Sequence, residues 1–343
     1  MSYNIIKQKI ISHIATTVPQ PYLWKLSGTN LLLPYYHMVS DDEIIHIKHF
    51  YPHKTQHQFN EDIEFILKHF TPIDLSDLMA AARREKKLPQ RAVHMTFDDG
   101  FREMHDIVSP FLLRKGVPAT FFINSDFTDN RNMYFQHKSS LIIDHLLGQR
   151  IPKSLLSTVE KILPQENKQN TSLTSRMKSI KYLHRNVVDI IAANLNVDIN
   201  GYLKKHQPYL TTEQIHSMIK RGFTFGAHSI DHPLYVELDL NEQLRQTITS
   251  IDFVKKNFHL NYRAFAFPHT DYGVSKEYFN SIKKSGLVDI SFGTAGFIAD
   301  CQAFHFQRFS LEKPMIAAEQ NLAYHLSRRI WRIINRKNTI VRN

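Results

Sequence analysis

The stretch RAVHMTFDDGF, residues 91–101, decides the reading of this chain. Residues 92–97 form an apolar run of strand length and strand composition, and Asp98-Asp99-Gly100 is a turn signal. Two adjacent carboxylates therefore stand at the C-terminal end of a strand, where a break into a turn can aim both into one cleft. Like charges so placed raise each other's pKa unless a cation lies between them. A metal ion is the simplest relief. Taken alone, the triplet reads first as an ordinary turn.

A second cluster changes that reading. HSIDH, residues 228–232, follows a predicted strand at 223–227. On a helical turn, residues four apart share a face, so His228 and His232 can reach one ion. A carboxylate from Asp98-Asp99 completes a two-histidine, one-carboxylate set with positions left open for water and substrate. Without thiolates such a set suits zinc, and cobalt, nickel or iron less specifically. Its bound water becomes a nucleophile near neutral pH, and the second carboxylate is free to act as general base. In a chain with 20 histidines, the pair by itself reads as a surface or helix-capping feature.

Composition sets the frame. A chain of 343 residues, 42% of them hydrophobic, can bury a large core, which argues against disorder. The net charge of +11 suits an acidic glycan or anionic lipid; a nucleic-acid role would rest on charge alone and is not expected. The single cysteine, Cys301, excludes an internal disulfide and a cysteine-based zinc site. The first 20 residues do not read as a secretory signal. No stretch reaches the roughly 18 apolar residues of a membrane span. The expectation is a cytoplasmic protein, peripheral to a membrane at most.

Along the chain, residues 1–27 read as an amphipathic helical segment broken at Pro19 and Pro21. Residues 31–36 are strand-like and end at His37. Helical spacing covers 59–70, a short helix with Ser76 as its cap follows, and a helix at 103–115 is closed by Gly116. With the strand at 118–124, the segment 92–124 is a strand-helix-strand unit, which argues a parallel sheet or an α/β barrel. Chemistry in such folds gathers at the C-terminal strand ends. Residues 130–210 read as a helical insertion with an exposed loop at 165–174. Alternation then resumes: helix to Gly222, strand 223–227, helix 240–258, strand 262–267, helix 276–285, strand 289–292. Residues 316–343 end the chain in a basic amphipathic helix that rests on anionic lipid or packs on the barrel.

TFDDG (96–100), PATFF (118–122), GAHSIDH (226–232) and FAFP (265–268), in this order, resemble the polysaccharide deacetylase family, also called the NodB-homology or carbohydrate esterase 4 family. Within it, the chain is most similar to the exopolysaccharide and poly-N-acetylglucosamine deacetylase-like subgroup. The resemblance spans about 30–310. It implies an α/β fold, a distorted (β/α)7-type barrel over 28–315 with the helical insertion. It implies a metal-dependent deacetylase that removes an acetyl group, N-acetyl first, from a sugar of a surface polysaccharide or its precursor. Asp98 is then the general base, and Asp99, His228 and His232 hold a divalent metal, zinc first. The oxyanion falls to the metal and a backbone amide near Tyr235.

Two departures from the family pattern matter. Ala266 fills the seat where many members carry an arginine that orients the base. Arg263, three residues away, points to the other side of its strand, and Arg308 is the remaining source of that charge. His269 and Asp271, just beyond, are candidates to line the cleft. The general acid is His37, at the end of LLLPYYH, or His305, in AFHFQRFSL; His37 is favoured. Two other functions fit the same residues: hydrolysis of a non-sugar amide, and glycan binding without turnover.

Overall fold

The computed structural model describes residues 3–164 and 172–342. The loop expected at 165–174 falls mostly outside them. Eight short parallel segments form one sheet: β1 (Pro34–Tyr36), β2 (Met95–Phe97), β3 (Ala119–Ile123), β4 (Thr224–Ala227), β5 (Ala264–Ala266), β6 (Ile290–Gly293), β7 (His305–Gln307) and β8 (Phe309–Ser310). Their order is β7-β6-β5-β4-β3-β2-β1-β8. The two edges, β7 and β8, are consecutive in the chain, with only Arg308 between them. One bent strand therefore pairs with β6 by its first half and with β1 by its second, which closes the barrel. This is the distorted barrel expected from the motifs.

Strand alternation sorts the residues. Tyr36, Phe97, Phe121, Phe225 and Phe265 belong to the outer core under the helices. Their rings stack around the barrel: Phe97 and Phe121 stand 4.9 Å apart, Phe121 and Phe225 5.5 Å. Burying each such ring contributes about 1.5–3 kcal/mol. The alternate positions belong to a smaller interior core that includes Leu33, Phe122, Ala264, Ala266 and Phe292. Gly226 is small of necessity, because a Cβ there would lie 2.5 Å from the Phe122 ring.

The helical segments depart from expectation in detail. The N-terminal segment is two helices, Tyr3–Thr17 and Gln20–Ser27. Pro21 does not break the second but sits in its first turn, where the missing N–H costs nothing. Asp74, not Ser76, caps the helix Leu75–Ala82. The segment expected as one helix at 103–115 begins with a π turn, Met104–Val108, and continues as Ser109–Lys115 with Gly116 in the left-handed cap. The C-terminal helix, Ala318–Ile334, buries Leu322 and Leu326 against the barrel and packs on both N-terminal helices. Its first N–H, from Ala318, donates to buried Asp62, which also takes Lys54 and the Tyr36 hydroxyl. Arg329 and Arg332 turn inward and donate to the carbonyls of Ser27, Phe297 and Ala295. Among the described residues, no helix is long and apolar enough to cross a membrane.

The insertion helices share a second core with Met38, Ile47 and Phe101. Tyr182, on one of them, donates to the carboxylate of Asp231 at 2.7 Å, so the insertion grips the loop that carries both site histidines.

Candidate functional site

Three site residues continue the inward register of their strands: Thr96 leads to Asp98, Gly226 to His228 and Tyr35 to His37. The site is therefore the C-terminal mouth of the barrel. Strand β2 ends abruptly there. Asp99 and Gly100 both take positive φ, +68° and +65°, which turns the second carboxylate back into the mouth beside the first. Gly100 is required twice over, because its Cβ would also stand 2.9 Å from Ile123.

Asp99, His228 and His232 converge. Asp99 Oδ1 lies 3.5 Å from His228 Nε2 and 3.1 Å from His232 Nε2. The helical turn expected for 228–232 is not formed. Ser229 and His232 have φ of +69° and +64°, which no helix allows, so the two rings meet across a tight loop. The Ser229 hydroxyl accepts from His232 N, while Ser125 and Asp126 donate to the carbonyls of Ser229 and Ile230. Nδ1 of His228 is 2.9 Å from the Ala266 carbonyl, so it carries the proton there and leaves Nε2 as a lone pair. Asp99 Oδ1, His228 Nε2 and both His232 ring nitrogens are buried with no hydrogen-bond partner. Buried polar atoms are nearly always paired. Three of these orphaned atoms, Asp99 Oδ1 and the Nε2 atoms of His228 and His232, lie within 4.8 Å of one another and fit a divalent cation of the zinc type.

Asp98 has a different partner. Arg308, wholly buried at the bend between β7 and β8, grips both its oxygens at 2.6 and 2.8 Å. The guanidinium also donates to Thr96 Oγ1 and lies over the Tyr35, Phe122 and Phe292 rings. Arg308 thus supplies the charge missing at Ala266, while Arg263 is paired with Asp289. Burial pushes the Asp98 carboxyl up, and Arg308, with His228, more than reverses it, so Asp98 stays ionised. Asp99 is held well below the carboxylate range despite its burial, chiefly by His232. Burial drives His228 down to about 4, which keeps the imidazole neutral.

His37 and His305 part company. The His37 ring stands 2.7 Å from Glu312, whose other oxygen accepts His37 N. Burial opposes its protonation, but Glu312 and then Asp99 raise it to about 10, so it carries a proton at neutral pH. His305 is fully engaged elsewhere, with Ser291 on Nδ1 and Asp271 on Nε2. Asp271 does not line the cleft. It turns away to bind His305, Gln307 and Arg342, which also holds Asp300. His269 does line the cleft, with its ring 4.5 Å from that of His232. The Tyr235 ring is buried with Phe265, Phe267 and Tyr278, so only its backbone is available to the site.

Several residues escape the motifs. Glu312 lies only four positions after Arg308, yet a lone glutamate after a strand carries no signal. Tyr134, from the start of the insertion, packs its ring 4.7 Å from His232 and bonds His269. Its place over the site comes from tertiary packing, which no local pattern announces.

A parallel barrel whose mouth joins a two-histidine, one-carboxylate cluster to an arginine-held carboxylate defines a hydrolase. The sequence pattern of the polysaccharide deacetylase family matches residues 85–288, and the chain belongs to that family. It is a carbohydrate deacetylase, acting on carbon–nitrogen bonds other than peptide bonds, in a family that is generally metal-dependent. The fold is shared with the deacetylase PplD of Streptococcus pyogenes, determined in complex with acetate (13% identity, 87% of this chain and 98% of that one, TM-score 0.56). It is shared also with IcaB from Ammonifex degensii (15%, 88% and 98%, 0.53). A de-N-acetylase from Aggregatibacter actinomycetemcomitans has it too (15%, 86% and 100%, 0.53). No curated protein sequence matches the chain.

Proposed function

We propose that this enzyme removes N-acetyl groups from the sugars of a surface polysaccharide or its precursor. Asp98 is the general base, His37 the general acid, and Asp99, His228 and His232 hold a divalent metal, zinc first. The observation that carries this reading is the division of labour at the mouth: a cluster of orphaned donors flanked by a carboxylate kept ionised and an imidazole kept protonated. When bound there, the ion would polarise the acetyl carbonyl and acidify a water molecule. Asp98, oriented by the Arg308 fork, accepts the proton of the attacking water. His37 Nε2 delivers a proton to the departing amine nitrogen, while Glu312 holds Nδ1–H. The amide C–N bond breaks, and acetate and the free amino sugar leave. The poly-N-acetylglucosamine type of substrate draws support from Tyr36-His37 at the end of the first strand, a pair similar to one in the poly-N-acetylglucosamine deacetylase-like subgroup. Removal of an N-acetyl group draws support from the fold shared with the Aggregatibacter de-N-acetylase.

The test is acetate release from N-acetylated hexosamine oligomers by protein reconstituted with zinc, alongside metal content. Loss of both in Asp99→Ala and His228→Ala supports the reading. Turnover of cyclic amides alone would favour a non-sugar amidase. Glycan binding without turnover in zinc, cobalt or nickel would favour a binding module. We also propose a cytoplasmic enzyme that touches anionic membrane. The +11 charge and exposed Ile333, Ile334, Arg336 and Lys337 support this. Flotation with anionic but not neutral vesicles tests the contact, and cell fractionation tests the compartment.

A further inference from the structure

The segment after β1 crosses the mouth of the barrel before the helix Gln56–His69 begins, and it carries Tyr51. The Tyr51 ring stands 5.7 Å from the ring of His37. Its hydroxyl oxygen is buried and has no hydrogen-bond partner. Such a hydroxyl is costly to keep unless something outside the chain pairs with it. The neighbouring phenols do not share this condition. Tyr134 bonds His269, Tyr209 bonds His137 and Tyr36 bonds Asp62.

The hydroxyl belongs to the mouth of the barrel, because its ring packs against that of His37. After burial, the groups that act on it most are Asp99, Glu312, Tyr209 and Tyr134, in that order. These groups stand on both sides of the site: Asp99 in the ligand cluster, Glu312 behind His37. Burial first, and these groups after it, hold the phenol well above its ordinary pKa, so it offers a proton and never a charge.

In the hydrolysis assigned above, the attacking water lies at the ligand cluster and the departing nitrogen at His37. Between these two points lies the acetyl carbon, and its oxygen projects to the side of the line that joins them. The geometry points to Tyr51 as a further catalytic residue, whose hydroxyl donates a hydrogen bond to the acetyl oxygen of the substrate. That bond strengthens as the oxygen gains negative charge in the tetrahedral state, so it acts on turnover more than on binding. This inference rests on the proposed deacetylation.

Tyr51→Phe removes only the hydroxyl. On an N-acetylated oligomer, kcat should fall about 10²-fold with KM within about threefold, the size seen for loss of one such donor. Zinc content should match the wild type, and the alkaline limb of the pH profile, set by His37, should not move. Removing an orphaned buried hydroxyl should also raise Tm by about 1–3 °C. A merely structural tyrosine would not give slower turnover together with a more stable fold. Turnover within twofold of wild type overturns the inference, as does a rise in KM alone, which would mean contact with a sugar hydroxyl. A kcat loss that tracks a shifted alkaline limb also overturns it, because Tyr51 would then act only through His37. If wild-type protein itself releases no acetate, it is the deacetylase reading that fails first.

Discussion

Arg308→Met is the substitution that tests most of this reasoning at once. It keeps the length and apolar body of the side chain and removes the charge. In the native protein Arg308 is 0% and Asp98 2% exposed, and the two share two hydrogen bonds. Removing one partner of a buried pair leaves an uncompensated charge and costs about 3–5 kcal/mol. The sign with pH follows from the direction of the native shift. Asp98 has a depressed pKa, so its pairing contributes stability above the ordinary carboxylate range and loses it as pH falls through the folded value. In Arg308→Met that contribution disappears and burial is opposed only by His228 and His37, so the carboxyl protonates at higher pH. The variant should therefore be destabilised at pH 7 by most of that amount in urea unfolding. The acid limb of its kcat/KM profile should move toward alkaline pH, and activity at pH 7 should fall on the order of 10²-fold, the low end of a general base's contribution. Asp98→Asn in the same background should recover stability but no activity. An unmoved acid limb and a stability loss below about 1 kcal/mol would show that Arg308 neither holds nor tunes the base, and the argument would fall.

Four further outcomes follow from the same geometry. Glu312→Gln should lower the pKa of His37; because the protonated ring is the proposed acid, activity is lost as pH rises through that value, so the alkaline limb moves to lower pH, read from kcat/KM between pH 6 and 10. Chelator-treated protein should lose acetate release and recover it with about one equivalent of zinc, whereas His232→Ala should recover none, as read by metal titration against turnover. Gly226→Ala drives a methyl into the Phe122 ring and should cost about 1–3 kcal/mol in chemical denaturation, with metal content unchanged in the folded fraction. Arg342→Ala strips buried Asp271 and Asp300 of their cation and should lower Tm while kcat stays within twofold.

How much of this was legible in the sequence depends on how far apart the cooperating residues lie. TFDDG and HSIDH were readable because each packs its information into five residues: an apolar run, a break, and side chains whose types only suit one chemistry together. The barrel was readable for the same reason, through strands with helices between them. The loop geometry was not. HxxxH has helical spacing, and only the positive φ at Ser229 and His232 shows that a tight turn, gripped by Asn124 to Asp126 on one side and Tyr182 on the other, brings the rings together. Glu312, Tyr134 and Tyr51 were invisible because each reaches the site through packing across the barrel mouth, which no local pattern encodes.

The arginine shows the limit most sharply. The family resemblance puts an arginine at position 266, where this chain has an alanine, and leaves Arg308 as the remaining source of the charge with nothing local to place it beside Asp98. Position 308 is a different strand altogether, yet it meets the same physical requirement. The closing strand changes partner at Arg308, from β6 to β1, and an interior side chain at that bend faces Thr96 and Asp98 directly. What the site requires is a guanidinium at a point in space, and closing the barrel brings two strands within reach of that point. Ala266→Arg alone should then be destabilising, because its side chain competes with Arg308 for one cavity. Combined with Arg308→Ala it should regain part of the lost stability and return the acid limb toward its native position. If the double variant is no better than Arg308→Ala alone, the two positions do not serve one requirement, and the small residue at 266 has some other cause.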